Sequence, residues 1–452
     1  MEKQILSLIE EKKYTRLREC LEELNPADIA LILEEAELKD LPVVFRILPK
    51  ELAAEVFVEM DRDLQQHLIE SFSNTELKDV LDELFMDDMV DIIDEMPAIV
   101  AKRILKQTDA KTRKMINQLL AYPDDSAGSI MTTEYVDLKK NMTVDEAFDH
   151  IREIGLDTET IYTCYVIDRG RHLLGIVTVK DLLLNPKTCI LSDIMDENII
   201  SANTLDDKEE VAGQFEKYDL MALPVVDREN RLVGIITVDD AIDVMQEEAS
   251  EDIEKMAAIL PSEKSYLKTG VFVTFKSRIP WLLFLMISAT VTGTIISSFE
   301  SRLSGWIGLI AFIPMLMGTG GNSGSQASVT IIRALSLGDI EFKDIWRVIW
   351  KEFRVSVICG VVLGVVNFVK LYLVDYLLIG SFDEGVHITE MLTVTLTLVL
   401  VVIIAKLVGC TLPIIAKKLG SDPAVMASPL VTTILDAVSL LIYFSIATIL
   451  LI

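Results

Sequence analysis

Residues 164–183 read CYVIDRGRHLLGIVTVKDLL, and residues 223–242 read LPVVDRENRLVGIITVDDAI. The two stretches align without a gap and share nine of their twenty residues. An apolar run, a polar turn, a second apolar run and an amphipathic stretch predict strand, turn, strand and helix in each copy. Upstream, Ile130-Met131 is repeated as Ile194-Met195. The middle of the chain is therefore predicted to be a duplicated α/β unit.

On the N-terminal side, residues 1–129 are acidic and leucine-rich, with helical periodicity. A degenerate pattern returns every 24 residues, in which an apolar residue and a Pro or Asn precede an amphipathic run. Its four copies are LNPADIALIL from Leu24, LPKELAAEVF from Leu48, FSNTELKDVL from Phe72 and MPAIVAKRIL from Met96. Repeats of this length predict an all-α superhelix of stacked helical hairpins.

The C-terminal part contains five apolar segments, each near the roughly 20 residues that cross a bilayer. They are residues 279–299, 306–332, 355–378, 389–412 and 424–451. Lys and Arg are frequent in the connection 333–354 and at positions 417 and 418, and rare in 300–305 and 379–388. Counting positive charges then places the N-terminal part in the cytosol and the C-terminus outside a multi-pass membrane domain.

Charge is divided unevenly along the chain. The formal net charge of -28 separates into -29 for residues 1–270 and +1 for residues 271–452. A nucleic acid partner needs a basic face, so this balance argues against one and favours cations.

Asp436 is the only charged residue in positions 424–452. Insertion scales put an Asp at the centre of a membrane helix at roughly 2.5–3.5 kcal/mol, so such a residue is expected to have a role. Pro429, Thr432 or Thr433, and Asp436 fall at helical spacing and predict a polar, kinked stripe. A structural carboxylate bonded to a neighbouring helix is the alternative.

The second apolar segment contains GTGGNSGSQAS at residues 318–328. Its glycines, together with Pro314, are expected to break the helix and turn carbonyls towards a cavity. Gly321, Asn322 and Gln326 are then predicted to line a water-filled path that suits a hard cation such as Mg²⁺. Packing of small residues against a neighbouring helix is the alternative reading of the same glycines.

Two further acidic stretches lie in the N-terminal part. Asp87 and Asp91 stand four residues apart, and residues 239–252 carry stacked acids at the same spacing. Like charges at this spacing destabilise a helix by a few tenths of a kcal/mol per pair. Divalent ions between the two faces would relieve that repulsion, whereas a solvated face is the alternative.

The duplicated unit resembles a tandem CBS-domain pair, whose G-h-h-T-x-x-D ends correspond to residues 175–181 and 234–240. With PMLMGTGGNSGSQAS (314–328) and GSDPAVMASPLVTTILD (420–436), the whole order resembles the MgtE-type magnesium transporter family. The resemblance implies a multi-domain membrane protein. Its parts are an all-α superhelical N-domain (1–129), two α/β CBS domains (130–192 and 193–249), a connecting helix (250–277) and an all-α five-helix membrane domain (278–452).

The resemblance also implies a plasma-membrane homodimer in which Asp436 of each subunit flanks a hydrated Mg²⁺ on the twofold axis. It implies ATP binding to the CBS pair, at Lys180 and Asp181. Regulatory Mg²⁺ would be held by acidic residues of the N-domain, the CBS pair and the connecting helix, namely Glu55, Asp87, Asp91, Asp207, Glu209, Glu216, Asp219, Asp240, Asp243, Glu248, Glu251 and Asp252.

Other function classes fit less well. A CBS-regulated anion channel would need basic residues or several helix N-termini facing the pore, whereas the only charge deep in the last span is acidic. A nucleotide-sensing scaffold without transport leaves Asp436 and the glycine-rich stretch unexplained. Four scattered histidines, no P-loop and no Ser/His/Asp or Cys/His set argue against an enzyme.

Overall fold

The computed structural model describes residues 2–262, 266–267, 269–300, 307–373, 388–426 and 428–451. Residues 301–305 and almost all of loop 379–388, which entered the orientation count, lie outside the described residues. The chain forms two compact units, one ending at residue 245 and one comprising residues 246–452.

Ten short helices begin the first unit. They are α1 (Glu2–Glu10), α2 (Tyr14–Leu21), α3 (Pro26–Glu34), α4 (Leu41–Phe45), α5 (Lys50–Val58), α6 (Arg62–Ser71), α7 (Asn74–Leu81), α8 (Met86–Glu95), α9 (Ala98–Gln107) and α10 (Ala110–Leu119).

The predicted 24-residue repeat is confirmed by the starting points of the odd-numbered helices. α3, α5, α7 and α9 begin at residues 26, 50, 74 and 98. Apolar residues of neighbouring helices meet in the core, where the Phe45 ring lies 6.1 Å from that of Phe57 and 5.4 Å from that of Phe72. The all-α superhelix is therefore built of paired helices whose apolar faces close one continuous core.

The duplicated α/β unit follows, with two three-stranded sheets in the orders β1-β2-β3 and β4-β5-β6. In each sheet the first pair of strands is parallel and the second pair is antiparallel. The elements are β1 (Tyr135–Lys139), α11 (Val144–Ile154), β2 (Thr160–Ile167), β3 (Leu173–Thr178), α12 (Val179–Leu184), β4 (Ala202–Asn203), α13 (Lys208–Tyr218), β5 (Ala222–Val226), β6 (Leu232–Thr237) and α14 (Val238–Met256).

The two copies are completed by each other. The N–H of Thr132, which precedes the first copy, donates to the Ile235 carbonyl of the second copy, and the N–H of Ile176 donates to the Asp196 carbonyl. A Cβ on Gly234 would lie 2.8 Å from the Met131 sulfur, and one on Gly175 would lie 2.8 Å from the Met195 sulfur. The methionine that precedes each copy thus packs against the repeated glycine of the other copy.

Within the described residues, the second unit contains the rest of α14 and five further α-helices, α15 (Val271–Glu300), α16 (Ile313–Ser336), α17 (Ile345–Lys370), α18 (Ile388–Lys418) and α19 (Ser428–Leu451). Four described stretches are long and apolar enough to cross a membrane, namely Val271–Phe299, Phe342–Leu373, Ile388–Lys418 and Pro423–Leu451. α16 coincides with the second predicted span, and its Gly, Ser, Asn and Gln residues make it less apolar. Residues 306, 374–378 and 427 of the predicted spans lie outside the described residues.

Two expectations about helix breaks are wrong. α16 runs without interruption through the glycine-rich stretch, because Pro314 lies in its first turn, where a proline breaks no helical hydrogen bond. Pro429 likewise lies at the start of α19 and does not kink it. The polar residues of both helices are therefore presented by regular helical surfaces.

The glycines bring the helices together instead, as the packing alternative anticipated. A Cβ on Gly409 of α18 would lie 2.2 Å from the Gly324 carbonyl oxygen of α16, and one on Gly324 would meet the Leu435 side chain of α19 at 2.1 Å. Gly360 and Gly364 of α17 pack in the same way against Val399 of α18. Backbones approach this closely only where a Cβ is missing.

Candidate metal centre

In the first unit, acidic side chains from three segments crowd around α8. Buried Met86, Met89 and Val90 anchor one face of this helix in the superhelix core. The rest of the helix then presents Asp87, Asp88 and Asp91. The neighbouring acids are Glu134 and Glu159, which precede β1 and β2, and Asp239 and Asp240 at the start of α14; the acidic cluster means these seven residues.

Asp87 is the most enclosed member of the acidic cluster, with 9% of its surface exposed. Its Oδ1 has no hydrogen-bond partner among the described residues. Burial, followed by the charge of Asp88, raises the pKa of the Asp87 carboxyl to about 7. A buried acceptor without a donor is costly, so this oxygen is suited to a cation ligand.

The pKa values of three other acids of the cluster are raised as well. Burial and the charge of Asp240 raise the pKa of Asp88 to about 7, and burial and Asp87 raise that of Asp240 to about 7. Asp91 is exposed on α8, yet loss of part of its surrounding water and the charge of Asp87 raise its pKa. Mutual repulsion of this kind is relieved by protons or by a cation.

Glu134 and Glu159 are members of the cluster that the sequence did not reveal, because isolated acids in loops carry no periodic signal. An oxygen of Glu134 accepts from the Met86 N–H at 2.9 Å, which caps α8. Burial and the charge of Asp87 raise the pKa of Glu159 to about 8, and its Oε2 has no partner among the described residues. The cluster thus contains two buried carboxylate oxygens without donors.

The cluster is a concentration of negative charge and lacks a closed coordination shell. Within the described residues, no three His, Cys, Asp or Glu side chains converge as ligands of one metal ion. Carboxylate oxygens are nevertheless the donors that Mg²⁺ prefers, and Mg²⁺ keeps several of its waters when it binds. The arrangement therefore fits a hydrated ion held through water.

The remaining predicted ligands lie elsewhere. Glu55 is exposed on α5, and it is Glu59, one turn later, whose charge raises the pKa of Asp88. Asp243 is exposed on α14. Four predicted ligands are exposed on or beside α13, where Asp207 caps the helix by accepting from the Glu209 N–H at 2.9 Å; they are Asp207, Glu209, Glu216 and Asp219.

The last turns of α14 lie in the second unit and carry Glu248, Glu251 and Asp252. The ammonium of Lys255 contacts Glu251 at 2.7 Å and Asp422 at 2.6 Å. The Ser336 hydroxyl donates to Asp252 at 3.3 Å. Glu251 is thus engaged in an ion pair, and the end of α14 is fastened to the residues that precede α19.

In the membrane half, a cavity of about 420 Å³ brings predicted pore residues from two helices together. Gly321 and Asn322 come from α16, and Thr432 and Asp436 come from α19. A Cβ on Gly321 would lie 3.0 Å from the Thr432 methyl, so the glycine permits this contact. Thr433 donates to the Pro429 carbonyl at 2.8 Å and does not line this cavity.

Gln326 opens into a second cavity, of about 820 Å³, which Asn322 also lines. Two charged residues that the sequence analysis passed over, Glu352 of α17 and Lys406 of α18, line this second cavity. Lys406 stands in an otherwise apolar run, and a single charge in such a run is the sequence signal that marks it as a candidate functional residue. In the CBS pair, the Asp181 carboxylate accepts from the Thr178 N–H at 3.1 Å, and Lys180 is exposed.

The fold and the site define a class, a multi-helix membrane transporter of divalent cations with an acidic regulatory part. Comparison with known families gives a match in each of three parts of the chain. Residues 313–446 match the MgtE family, described as a divalent cation transporter, residues 24–125 match the MgtE intracellular N domain, and residues 127–186 and 191–247 match CBS domains.

Full-length relatives make the family explicit. The chain is 37% identical over 439 residues to the magnesium transporter MgtE of Thermus thermophilus, covering 96% of this chain and 95% of that protein. It is 34% identical over 444 residues to MgtE of Bacillus subtilis, covering 98% and 96%. This chain belongs to the MgtE family.

A solved structure is similar to the first part of the chain. The cytosolic domain of the Mg²⁺ channel MgtE in complex with ATP is 35% identical, with a TM-score of 0.51. The match covers 54% of this chain and all of that one.

Proposed function

We propose that this protein admits Mg²⁺ to the cytosol past Asp436 and that Mg²⁺ bound at the acidic cluster closes the path. Mg²⁺ transport is the activity that the family assigns to the chain. The single observation that carries the regulatory part is the enclosed Asp87, whose Oδ1 lacks a donor among the described residues.

The Asp436 cavity supports passage of a hydrated ion. One chain offers it a carboxylate, an amide and a hydroxyl, whereas Mg²⁺ requires six oxygens in an octahedron. A second copy related by a twofold axis would double the protein oxygens and leave room for water. A homodimer with its path between two Asp436 residues, as the family resemblance implies, would meet this requirement.

The acidic cluster supports a sensor. Without Mg²⁺, adjacent carboxylates repel one another, which favours separation of α8 from the start of α14. With Mg²⁺, one ion neutralises several carboxylates, which favours their close approach. Because the ion binds the close arrangement more tightly, rising cytosolic Mg²⁺ shifts the equilibrium towards the closed path.

Helix α14 is the element that carries the signal of the acidic cluster along the chain. α14 is one continuous helix from Val238 to Met256, so its first turn carries Asp239 and Asp240 and its last turns carry the ion pair of Lys255. Asp422, the partner of Lys255, immediately precedes the short turn Pro423–Met426 that leads into α19. Movement of α14 is thereby transmitted to the helix that holds Asp436.

Flux in proteoliposomes tests both parts. Asp436→Asn should abolish Mg²⁺ flux while the protein remains dimeric on gel filtration. Combined Asp87→Asn and Asp91→Asn should leave flux intact but abolish its inhibition by Mg²⁺ on the cytosolic side. The matched control is Asp28→Asn with Asp94→Asn, two exposed acids of the same domain. If the same Mg²⁺ concentration inhibits flux through the Asp87/Asp91 variant and through the control variant, the acidic cluster is not the sensor.

ATP binding at the CBS pair is proposed separately. It is supported by the ATP complex of the similar cytosolic domain. Lys180 is an exposed lysine in the first turn of α12, and Asp181 is the acidic residue that follows it. Calorimetric titration of ATP into the full chain should give a binding isotherm that Lys180→Gln and Asp181→Asn weaken and that Lys102→Gln, on the exposed surface of α9, leaves unchanged. Equal affinity in all of these variants would exclude this site.

A further inference from the structure

The first turns of α17 carry an exposed surface that combines aromatic rings with positive charges. Trp346 and Trp350, one turn apart, are 77% and 58% exposed. Arg347, Lys351 and Arg354 are exposed beside them. Tryptophan is enriched where a membrane protein meets the lipid headgroups, because its ring is apolar and its N–H is polar. This surface therefore has the composition of a site that contacts lipid.

The opposite side of the same turns packs into the helix bundle. Val348 and Ser356 are buried there, and half-buried Glu352 lies between them, four residues from each. Glu352 is the only carboxylate in residues 345–356. It lies on the packed side of the helix, so this stretch contributes no negative charge to the exposed surface.

The position of the surface along α17 fits the depth of the lipid phosphates. The helix contains 26 residues. At 1.5 Å per residue this is about 39 Å, whereas the hydrocarbon core is about 30 Å thick. A run without charged residues begins at Val355, directly after Arg354. The part of α17 that exceeds the core therefore includes Trp350, Lys351 and Arg354, at the boundary between hydrocarbon and headgroups.

The cations differ in whether the protein already neutralises them. Lys343, just before α17, contacts Glu341 at 2.9 Å, and Arg347 contacts Asp344 at 3.2 Å. Lys351 has neither a hydrogen bond nor an ion pair within the part of the chain that the structure describes. The cations nearest to the apolar run are thus the ones left for an external anion.

Arg354 is oriented by Trp350. Its guanidinium carbon lies 5.7 Å from the centre of the Trp350 ring, and its Nε donates to the Trp350 carbonyl at 3.3 Å. The Phe353 ring stacks on the other ring at 5.8 Å. No described residue accepts a hydrogen bond from the two terminal nitrogens of Arg354. A guanidinium with these N–H groups available matches the oxygens of a phosphate.

We propose that this surface binds the headgroup of an anionic phospholipid. Its phosphate oxygens accept from Arg354 and Lys351, and the rings of Trp346 and Trp350 lie against its glycerol and upper acyl chains. A zwitterionic lipid offers the same phosphate, but the two cations repel its ammonium, so the anionic lipid binds more tightly. A juxtamembrane cation changes the affinity for an anionic surface by about fivefold.

Quenching of tryptophan fluorescence by brominated lipids tests the proposal in vesicles that contain the full chain. The chain has four tryptophans. Trp281→Phe and Trp306→Phe provide a background in which all tryptophan emission comes from the proposed surface. Competition between dibrominated phosphatidylglycerol and phosphatidylcholine then gives the ratio of their binding constants, which should favour phosphatidylglycerol.

Removing the two cations should abolish most of this preference. Lys351→Gln and Arg354→Gln should each lower the ratio about fivefold, and the two together should bring it close to one. The matched control removes two exposed lysines of α9, Lys102→Gln with Lys106→Gln, and should leave the ratio unchanged. A ratio in the Lys351/Arg354 double variant equal to that of the control would overturn the proposal.

Two measurements on the background chain with Lys351 and Arg354 intact guard against a misfolded variant. Raising the NaCl concentration from about 0.05 M to about 0.5 M should lower the ratio, since salt screens exposed charges; an unchanged ratio would overturn the proposal. Inorganic phosphate, added at constant ionic strength, should leave the preference for phosphatidylglycerol intact. Loss of the preference in phosphate would show that the surface binds a soluble anion and would also overturn the assignment to a lipid.

Discussion

The ammonium of Lys255 lies 2.6 Å from a carboxylate oxygen of Asp422 and 2.7 Å from one of Glu251. Burial alone lowers the pKa of Lys255, but its bonds to Asp422 and Glu251 outweigh that effect and raise the pKa. The ammonium of Lys255 is therefore charged across the physiological pH range. It joins the last turn of α14 to the residue that precedes the turn into α19.

Removing this ion pair should uncouple the sensor from the path. In Lys255→Gln, inhibition of flux should require a higher Mg²⁺ concentration, because α14 no longer holds Asp422 through a charge-assisted bond. A partly exposed pair contributes about 1 kcal/mol, which corresponds to a shift of a few-fold in the inhibitory concentration. The concentration for half-inhibition is read from proteoliposome flux. Lys102→Gln, an exposed substitution on α9, is the control, and identical half-inhibition in both variants would contradict the coupling.

The acidic cluster predicts a stability that depends on pH. The pKa of Asp87, Asp88 and Asp240 in the folded chain is about 7, above the usual value near 4. Between about pH 4 and pH 7 the folded state binds more protons than the unfolded state, so the free energy of unfolding falls as the pH rises. In the absence of Mg²⁺, thermal unfolding of the first unit should occur at a higher temperature at pH 6 than at pH 8.

Mg²⁺ should weaken this pH dependence, since the cation replaces the protons. Its stabilising effect should be large at pH 8 and small at pH 6, where protons compete for the carboxylates. Scanning calorimetry at both pH values, with and without Mg²⁺, provides the comparison. A Mg²⁺-induced rise in melting temperature that is equal at the two pH values would argue against binding at the cluster.

Asp87→Asn should stabilise the Mg²⁺-free protein. The substitution removes a buried charge that repels Asp88 while preserving the shape of the side chain, and we expect a gain of about 1–3 kcal/mol at pH 8. The same variant should respond less to Mg²⁺ in chemical denaturation. Asp28→Asn, at an exposed position on α3, should change neither quantity. A loss of stability in Asp87→Asn would show that this carboxylate has an attractive partner in solution.

The contact between α16 and α18 should not tolerate a methyl group. A Cβ at position 409 would lie 2.2 Å from the Gly324 carbonyl, so Gly409→Ala should lower the melting temperature in detergent, with a cost of about 1–3 kcal/mol or more. Gly293→Ala in α15, where a Cβ meets nothing within 4 Å, is the control. Equal melting temperatures for the two variants would mean that the helices separate easily.

Much of the fold was readable from periodicity. The 24-residue spacing predicted where α3, α5, α7 and α9 begin, because each repeat carries its own Pro or Asn next to its N-terminus. The gapless duplication predicted the β-hairpins of both CBS copies for the same reason. These signals are local, so a single sequence displays them.

The site was harder to predict from the sequence than the fold, because it depends on contacts between residues that are distant in sequence. Asp87 and Asp240 are brought together by tertiary packing, and Glu134 and Glu159 join them from loops without a pattern. The glycines near position 320 predict a break in the helix, whereas in the structure they allow α18 and α19 to pack closely at Gly409 and Leu435. Lys406 carries no oxygen ligand and stands alone in an apolar run, so a pattern of oxygen ligands does not include it.

The crossed contacts of Met131 with Gly234 and of Met195 with Gly175 have a consequence for how this domain can change over generations. The residues that precede each half bond to the sheet of the other half, so a deletion that spares one half removes contacts from its sheet. The duplication can diverge in sequence, but it can no longer be undone.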